Sequence, residues 1–535
     1  MYKLIGENDL FDIRGQILKN RGITEDLLNV NEKAVEDCWN YKNMETACEL
    51  LYNHINKGSK IAIVCDEDTD GFISTTIMWR YLKEYHNVEA NILLHGKTKA
   101  HGLTKDVDIP DDINLLIVPD ASSNNQKEIK ELEDKGINVL VLDHHPVSQE
   151  IEYGVIVNNQ YSDKITNKSL CGAGVVYKFV TAMSEYVLED EPIEYMDLNA
   201  IANIADVMDM TSKETRYYTY KGLSEISNPF IKSLIEIKSF EIDNKEDYIV
   251  SHSFNTIPLI NAVIRAGTIE EKRNLINAFC SDDYSYCLEI AKECKRIKQK
   301  QDNSVKSSTN KISKFVNLKD NDRIIIVDGM DAKTSQTGLI ASKISTTFKL
   351  PTILYHNYNG VCRGSCRGLD GIKFKEDLLS SGLVEYIEGH SNACGIGFNK
   401  NNLELIKEYM NELYKNVDFG KSDCYNVDFE LYPFDLYQEF VDEVSSFEKE
   451  VSKGIDWVLV AIKDVELNLN SSNEKGKLNV VFDVFGVDCI KKYASKVWKE
   501  NYMNKRIYAD LICKCTVNPY NKKGRLELVD IEVIS

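Results

Sequence analysis

The chain has 535 residues, about three and a half times a typical domain length, which excludes a minimal binding module and leads one to expect several domains with well-buried cores. Hydrophobic residues make up 43% and charged residues 28%, excluding a largely disordered, collagenous or fibrous chain. Lysine and arginine number 64 against 84 acids, a formal charge of −20, which argues against coating nucleic acid with a uniformly basic surface but permits a local basic groove or carboxylates that hold metal ions.

The opening MYKLIGENDLFD has neither a basic n-region nor an apolar h-region, so no signal peptide is expected. No apolar run approaches a membrane span, and the 14 scattered cysteines read as reduced thiols. The expectation is a soluble cytoplasmic protein without a membrane partner.

Residues 1–57 read as a helical N-terminal segment. Three short apolar runs follow, KIAIV (60–64), INLLIV (113–118) and INVLVL (137–142), separated by helix-like stretches. Such runs predict parallel strands buried on both faces of an α/β domain over 58–280, whose part from 161 onward is mostly helical. Residues 281–315 predict a long connecting helix. A second α/β domain is expected over 316–418, with strands RIIIV and TILYH, helix GLIASKISTTF and Gly-rich turns. From 419 to 535 the pattern changes to strands, WVLVAIKDVEL, KLNVVFDVFGV, RIYADLICKCTV and RLELVDIEVI, which predict a small OB-like β-barrel, with a sandwich as the alternative.

Each of the first three strands ends in an acid. In open α/β sheets the carboxyl ends of the strands form the ligand crevice, so these acids are expected to converge. CDEDTDG (65–71) places Asp66, Asp68 and Asp70 at alternate positions, where they repel one another unless cations intervene. An EF-hand loop would need a bidentate Glu at its twelfth position, and Ile77 stands there. A solvated acidic loop is the plainer alternative. LDHHPV adds Asp143, His144 and His145, which suit a divalent ion such as Mn, with the Asp orienting a histidine. Asp120 ends the second strand. Asp206 lies in an apolar run where an unpaired charge is costly, with Asp209 as its competitor. Six to eight such ligands suit roughly two divalent ions and point to metal-dependent phosphoester hydrolysis. Cys280, Cys287 and Cys294 read as a packed helical stripe. Cys362, Cys366 and Cys394 lack the ligand spacing of a zinc site.

In order and interval, DEDTDG, IVPD, LDHHPV and NIADVMD resemble the four motifs of the DHH phosphoesterase superfamily, and the first has the form of the RecJ-type single-strand exonucleases. SLCGAGVVYKF, INAVIRAG, GLIASKIS, GSCRG and EGHSNACGIGF resemble further landmarks of that branch, the last an element of its DHHA1 domain. The resemblance spans roughly residues 55–400. It implies Asp66, Asp68, Asp70, Asp120, His144 and Asp206 as ligands of two Mn or Mg ions, Asp143 as their support, and His145 beside the scissile phosphate, with Asp120, Asp143 and His145 the catalytic set. It also implies Arg265, Ser365, Arg367 and His390 as holders of substrate phosphates. Glu388-Gly389 stands where the family has two glycines, and Ile264 where it has one.

The resemblance implies 5′-to-3′ hydrolysis of single-stranded DNA to 5′-mononucleotides in repair or recombination, with a single-strand-binding protein or helicase as a candidate partner. Cleavage of short oligoribonucleotides or cyclic dinucleotides is the first alternative, and a non-catalytic scaffold in a replication or repair assembly is the second. Charge is uneven: residues 291–315 carry 8 basic residues against 2 acids, and 416–456 carry 3 against 11. A strand is therefore expected to follow the former and Arg363, Arg367, Lys373 and Lys375, rather than the entry to the C-terminal domain.

Overall fold

The computed structural model describes residues 2–96, 101–104, 107–242, 245, 247–319, 321–369, 371–417, 419, 424–469, 473–475 and 479–534. The chain forms two compact units, Met1–Cys294 with Asp423–Ser535, and Lys295–Ser422.

In the first unit the three apolar runs become strands β2 (Ile61–Cys65), β4 (Leu115–Pro119) and β5 (Asn138–Asp143), nearly every residue of which is buried. Two strands not foreseen from sequence, β3 (Asn91–Leu94) and β6 (Val155–Asn158), complete a five-stranded sheet of order β3-β2-β4-β5-β6, parallel throughout. Strand order reverses between β2 and β4, because the chain leaves β2 to form β3 on one side and returns to form β4 on the other. At such a switch point the loops that follow the two strands diverge to opposite faces and leave a crevice at their carboxyl ends. The loops carrying Asp66 and Asp120 leave these two strands.

The second unit carries a mixed sheet of order β10-β11-β9-β8-β7. Its strands are β7 (Ile325–Asp328), β8 (Thr352–Tyr358), β9 (Val361–Arg367), β10 (Tyr386–His390) and β11 (Ala393–Asn399). The glycine-rich stretches expected as turns are therefore strands. Their glycines permit close approach: a Cβ on Gly364 would lie 2.1 Å from the Leu354 carbonyl, and one on Gly397 would lie 2.0 Å from the Tyr386 ring. Cys366 and Cys394 pair across β9 and β11 and, with Cys362, point into the apolar core. No cysteine belongs to a potential metal-holding group among the described residues. The predicted long helix is Tyr284–Ser313.

No closed barrel of the expected kind is found at the C-terminus among the described residues. The described C-terminal strands form an open seven-stranded sheet of order β13-β14-β18-β19-β17-β16-β15. Here β13 is Phe429–Leu431, β14 Leu459–Asn468, β15 Asn473–Lys475, β16 Asn479–Val484, β17 Val487–Lys491, β18 Arg506–Val517 and β19 Gly524–Val533. Helix Gln438–Ser446 supplies Phe440, Val441 and Val444 to the core on one face of the sheet, and helix Ile13–Arg21 adds Ile13, Ile17 and Leu18. These helices bury the apolar face that closure would otherwise hide. The N-terminal segment likewise opens not on a helix but on β1 (Tyr2–Leu4), paired in parallel with β12 (Tyr425–Val427). Arg21 donates to both Asp428 carboxylate oxygens, at 2.7 and 2.6 Å, fastening the N-terminal helix to β13.

Arg216, on helix Lys213–Ser224, is buried and paired with Glu450, so a charge pair joins the α/β core to the 3-10 turn Phe447–Glu450 that precedes β14. Tyr220 stacks on its guanidinium at 4.4 Å and donates to the Lys449 carbonyl. Arg216→Ala is expected to destabilise the protein by about 3 kcal/mol, since it strands Glu450 in a partly desolvated place. The midpoint of urea unfolding checks this, and an unchanged midpoint would contradict the role given to the pair.

Candidate metal centre

Asp68 ends the loop after β2 as the N-cap of helix Thr69–His86, accepting from the Gly71 N–H at 2.9 Å. This turns the alternating acids inward. A Cβ on Gly71 would lie 2.6 Å from the Asp66 Cβ, so glycine is needed where the helix begins beside Asp66. Asp70 accepts from the Gly172 and Ala173 N–H groups at 2.6 and 2.8 Å, a carboxylate on the free donors at the start of helix Gly172–Val187. Glu67 does not join them, because it forms a buried ion pair with Lys272.

Asp120 follows β4 with φ +66, a left-handed conformation rare for a residue with a side chain. Both of its carboxylate oxygens are buried, and among the described residues neither has a hydrogen-bond donor. A Cβ on Gly172 would lie 2.4 Å from Asp120 Oδ1, so the helix start presses against this carboxylate without capping it. His144 Nε2 lies 3.2 Å from Asp120, 3.6 Å from Asp206 and 3.8 Å from Asp70. Asp206 caps the carboxyl end of helix Met196–Ala205. Its competitor Asp209 accepts from the Thr211 N–H and hydroxyl and is in none of the potential metal-holding groups.

Three sets of donor atoms each lie within 4.8 Å of one another: Asp66, Asp68 and Asp120; Asp70, His144 and Asp206; and Asp120, His144 and His145. The electrostatics are those of a cluster lacking positive charge. Burial, then Asp66 and Asp70, push Asp68 up to about 6. Burial, then Asp70 and Asp68, push Asp206 up to about 8. Asp120 is raised well above the carboxylate range by burial and by Asp70, Asp68, Asp66 and Asp206. Burial lowers His144, which favours the neutral imidazole that can ligate a metal. A buried carboxylate with no donor is costly, and divalent cations answer both that cost and the repulsion. The residues therefore fit a metal centre.

Asp143 plays a different part. It accepts from the backbone of Ser123, His144 and His145 and from His145 Nδ1 at 2.8 Å. Although burial opposes it, this hydrogen bond and the nearby histidines hold Asp143 well below the usual carboxylate range. His145 is lifted to about 9: burial pulls it down, but the bond to Asp143 and the charges of Asp143, Asp206 and Asp70 outweigh that. Asp143 thus positions a proton-bearing imidazole at the edge of the cluster.

His101 escaped the sequence reading. Its Nδ1 lies 2.8 Å from Asp66, which also accepts from the Gly102 N–H at 2.7 Å, and its ring packs edge-on against His145 with centroids 4.8 Å apart. No spacing marks a lone histidine 35 residues beyond its partner; only the fold returns it there.

The residues expected at phosphates are placed in both units. Arg265 is exposed in the first unit, one turn beyond Asn261, which accepts from the Thr69 hydroxyl beside the acidic loop. In the second unit Ser365 is bonded at 2.8 Å to Thr337, the first residue of helix Thr337–Phe348, and a Cβ on Gly338 would lie 2.5 Å from Arg367 Nη2. Arg367 and His390 share one register level, each aligned with Ala393. Of the Glu388-Gly389 pair only Gly389 has positive φ, +115, where a Cβ would crowd the Ala393 carbonyl at 2.9 Å; Glu388 needs no glycine.

Residues 60–205 match the model of the DHH family, N-terminal domain. The chain is 33% identical over its whole length to 98% of the "Putative SPbeta prophage-derived single-strand DNA-specific exonuclease YorK" of Bacillus subtilis strain 168. It is 24% identical to the single-stranded-DNA-specific exonuclease RecJ of the same organism, over 73% of this chain and 50% of that protein. The crystal structure of RecJ in complex with Mn2+ from Thermus thermophilus superposes with a TM-score of 0.77 at 19% identity, covering 99% of this chain and 79% of that one. No helix among the described residues is long and apolar enough to cross a membrane.

Proposed function

Because the chain belongs to the DHH family, on its RecJ-like branch, we propose that it is a metal-dependent phosphodiesterase that degrades single-stranded DNA from the 5′ end and releases 5′-mononucleotides. The observation that carries this reading is the donorless buried Asp120 among four further carboxylates and His144 at the switch point of the sheet. Two divalent ions, Mn or Mg, are assigned to Asp66, Asp68, Asp70, Asp120, His144 and Asp206. When bound, such ions supply an acidified water and neutralise charge on the phosphoryl oxygens. The chain's own residues do the rest. His145, its pKa raised by Asp143, places an N–H donor beside the scissile phosphate and can give its proton to the leaving oxygen, and Asp143 fixes the orientation of the ring. Arg265, Ser365, Arg367 and His390 are assigned to phosphate oxygens of the strand, guanidinium groups and a helix start being suited to them.

Purified protein with Mn is expected to shorten 5′-labelled single-stranded DNA to mononucleotides and to leave duplex DNA of the same sequence intact. Cleavage confined to short RNA or cyclic dinucleotides would overturn the single-strand exonuclease reading, and no cleavage of any of these would favour a scaffold.

A further inference from the structure

Beside the metal centre, within the first unit, lies a cavity of about 470 Å³ whose lining includes Val207, Met208, Phe254, Pro258, Asn261 and Trp457. Two features tie it to the cluster. Helix Met196–Ala205 ends at Asp206, a member of the cluster, and the next residue, Val207, forms the cavity rim. Asn261, also in the lining, accepts from the hydroxyl of Thr69, the residue between Asp68 and Asp70.

The ending of that helix is unusual. The Met208 N–H donates to the Asn203 carbonyl at 2.9 Å and the Val207 N–H to the Ile204 carbonyl at 3.2 Å, the paired bonds of a Schellman motif. The position after the cap in this motif is left-handed and is ordinarily glycine. Here it is a β-branched residue, Val207, at φ +56. The strain secures no burial of the side chain, for Val207 is 61% exposed, and Phe254, also in the lining, is 74% exposed. Two large apolar side chains in the lining of one cavity thus stand in solvent, and the lining continues directly from Asp206. Another part of the lining is firmly held: the Met210 N–H donates to the Lys453 carbonyl at 2.9 Å, and Gly454, at φ +88, packs where a Cβ would lie 2.3 Å from Asp209.

We propose that this cavity is a nucleobase subsite, which takes one unstacked base of the strand whose phosphate lies at the metal centre, with Phe254 and Val207 gripping its faces. The inference rests on the nuclease reading and adds to it a substrate contact that no phosphate-binding residue supplies. A flat, largely apolar ring suits the occupant because Val207, Phe254, Pro258 and Trp457 are in the lining, while Asn261, Ser253, Lys453 and Asp456 supply polar groups there. Base-on-aromatic contact tolerates any base, as an enzyme indifferent to sequence requires.

The test pairs protein variants with single abasic sites scanned along a 5′-labelled oligonucleotide, with Mn present. In the unsubstituted protein one position near the scissile phosphate is expected to lose about tenfold in kcat/KM when made abasic. Phe254→Ala and Val207→Gly are expected to lower the rate on the intact strand to that on the abasic one, so that the abasic site costs these variants nothing further. Val207→Gly should melt no lower than the original protein, because glycine relieves the left-handed strain; this separates loss of a contact from loss of fold. Abasic sensitivity that persists undiminished in both variants, or is absent at every position while the intact strand is cleaved, overturns the subsite and leaves the nuclease reading standing. Absence of cleavage of the intact strand by the original protein overturns both.

Discussion

Asp120→Asn is expected to reduce Mn-dependent hydrolysis on the order of a thousandfold and, in the metal-free protein, to raise the melting temperature by roughly 5 °C. The two effects have one cause. The Asp120 carboxylate is buried, meets no donor among the described residues, and faces Asp66, Asp68, Asp70 and Asp206. The amide keeps the shape that fits against Gly172, stays neutral without taking up a proton, and offers an N–H to its acidic neighbours. It also removes a potential ligand shared by two of the three donor sets. The same cluster dictates a pH dependence. Asp68 and Asp206 are raised from 3.8 to about 6 and about 8, so the folded protein holds protons that the unfolded chain has released. Stability of the metal-free protein therefore falls as pH rises from about 4 through 8, and added Mn stabilises more at pH 8 than at pH 5. Melting curves with and without Mn across this range check both statements. A metal-free melting temperature that climbs with pH would contradict the assignment of uncompensated carboxylates.

His145→Gln is expected to slow hydrolysis by about two to three orders of magnitude while leaving stabilisation by Mn largely in place. Against its burial, Asp143 lifts the imidazole above its ordinary range. Activity of the unsubstituted protein should then fall on the alkaline side of the ordinary histidine range, and that limb should vanish in His145→Gln. Asp143→Asn provides the control. It removes the charge that holds the proton, and the limb should move toward the ordinary histidine range. A pH–rate profile unchanged in both variants would remove His145 from the reaction.

Much of the site was legible in the chain because strand runs and the acids that end them are local signals. KIAIV, INLLIV and INVLVL each became a buried strand, and Asp66, Asp120 and Asp143 stand at their ends. Asp206 and Asp209 could not be separated locally, as both lie in NIADVMDM; the helix end decides, turning one toward His144 and the other toward Thr211. Strands β3 and β6 were missed because each is short and sits at a sheet edge. GSCRG and EGHSNACGIGF suggested turns because glycine marks turns, whereas here its lack of a side chain admits backbone and ring contacts within a sheet. Nothing in the C-terminal alternation distinguishes a closed barrel from an open sheet, since both need one apolar face.

The sequence by itself determined which residue types meet at the centre, because alternating acids, a strand-end Asp-His-His and their intervals are covalent facts. The tertiary structure alone decided that β2 and β4 are neighbours across the switch point, and hence that their acids share one crevice. It also decided that Asp120 lacks a donor, that His101 returns to Asp66, and that Val207 takes glycine's conformation at the rim of a cavity. The reason is physical: periodicity and turn chemistry act over a few residues, whereas hydrogen-bond satisfaction, burial of charge and strain depend on what distant segments bring into contact.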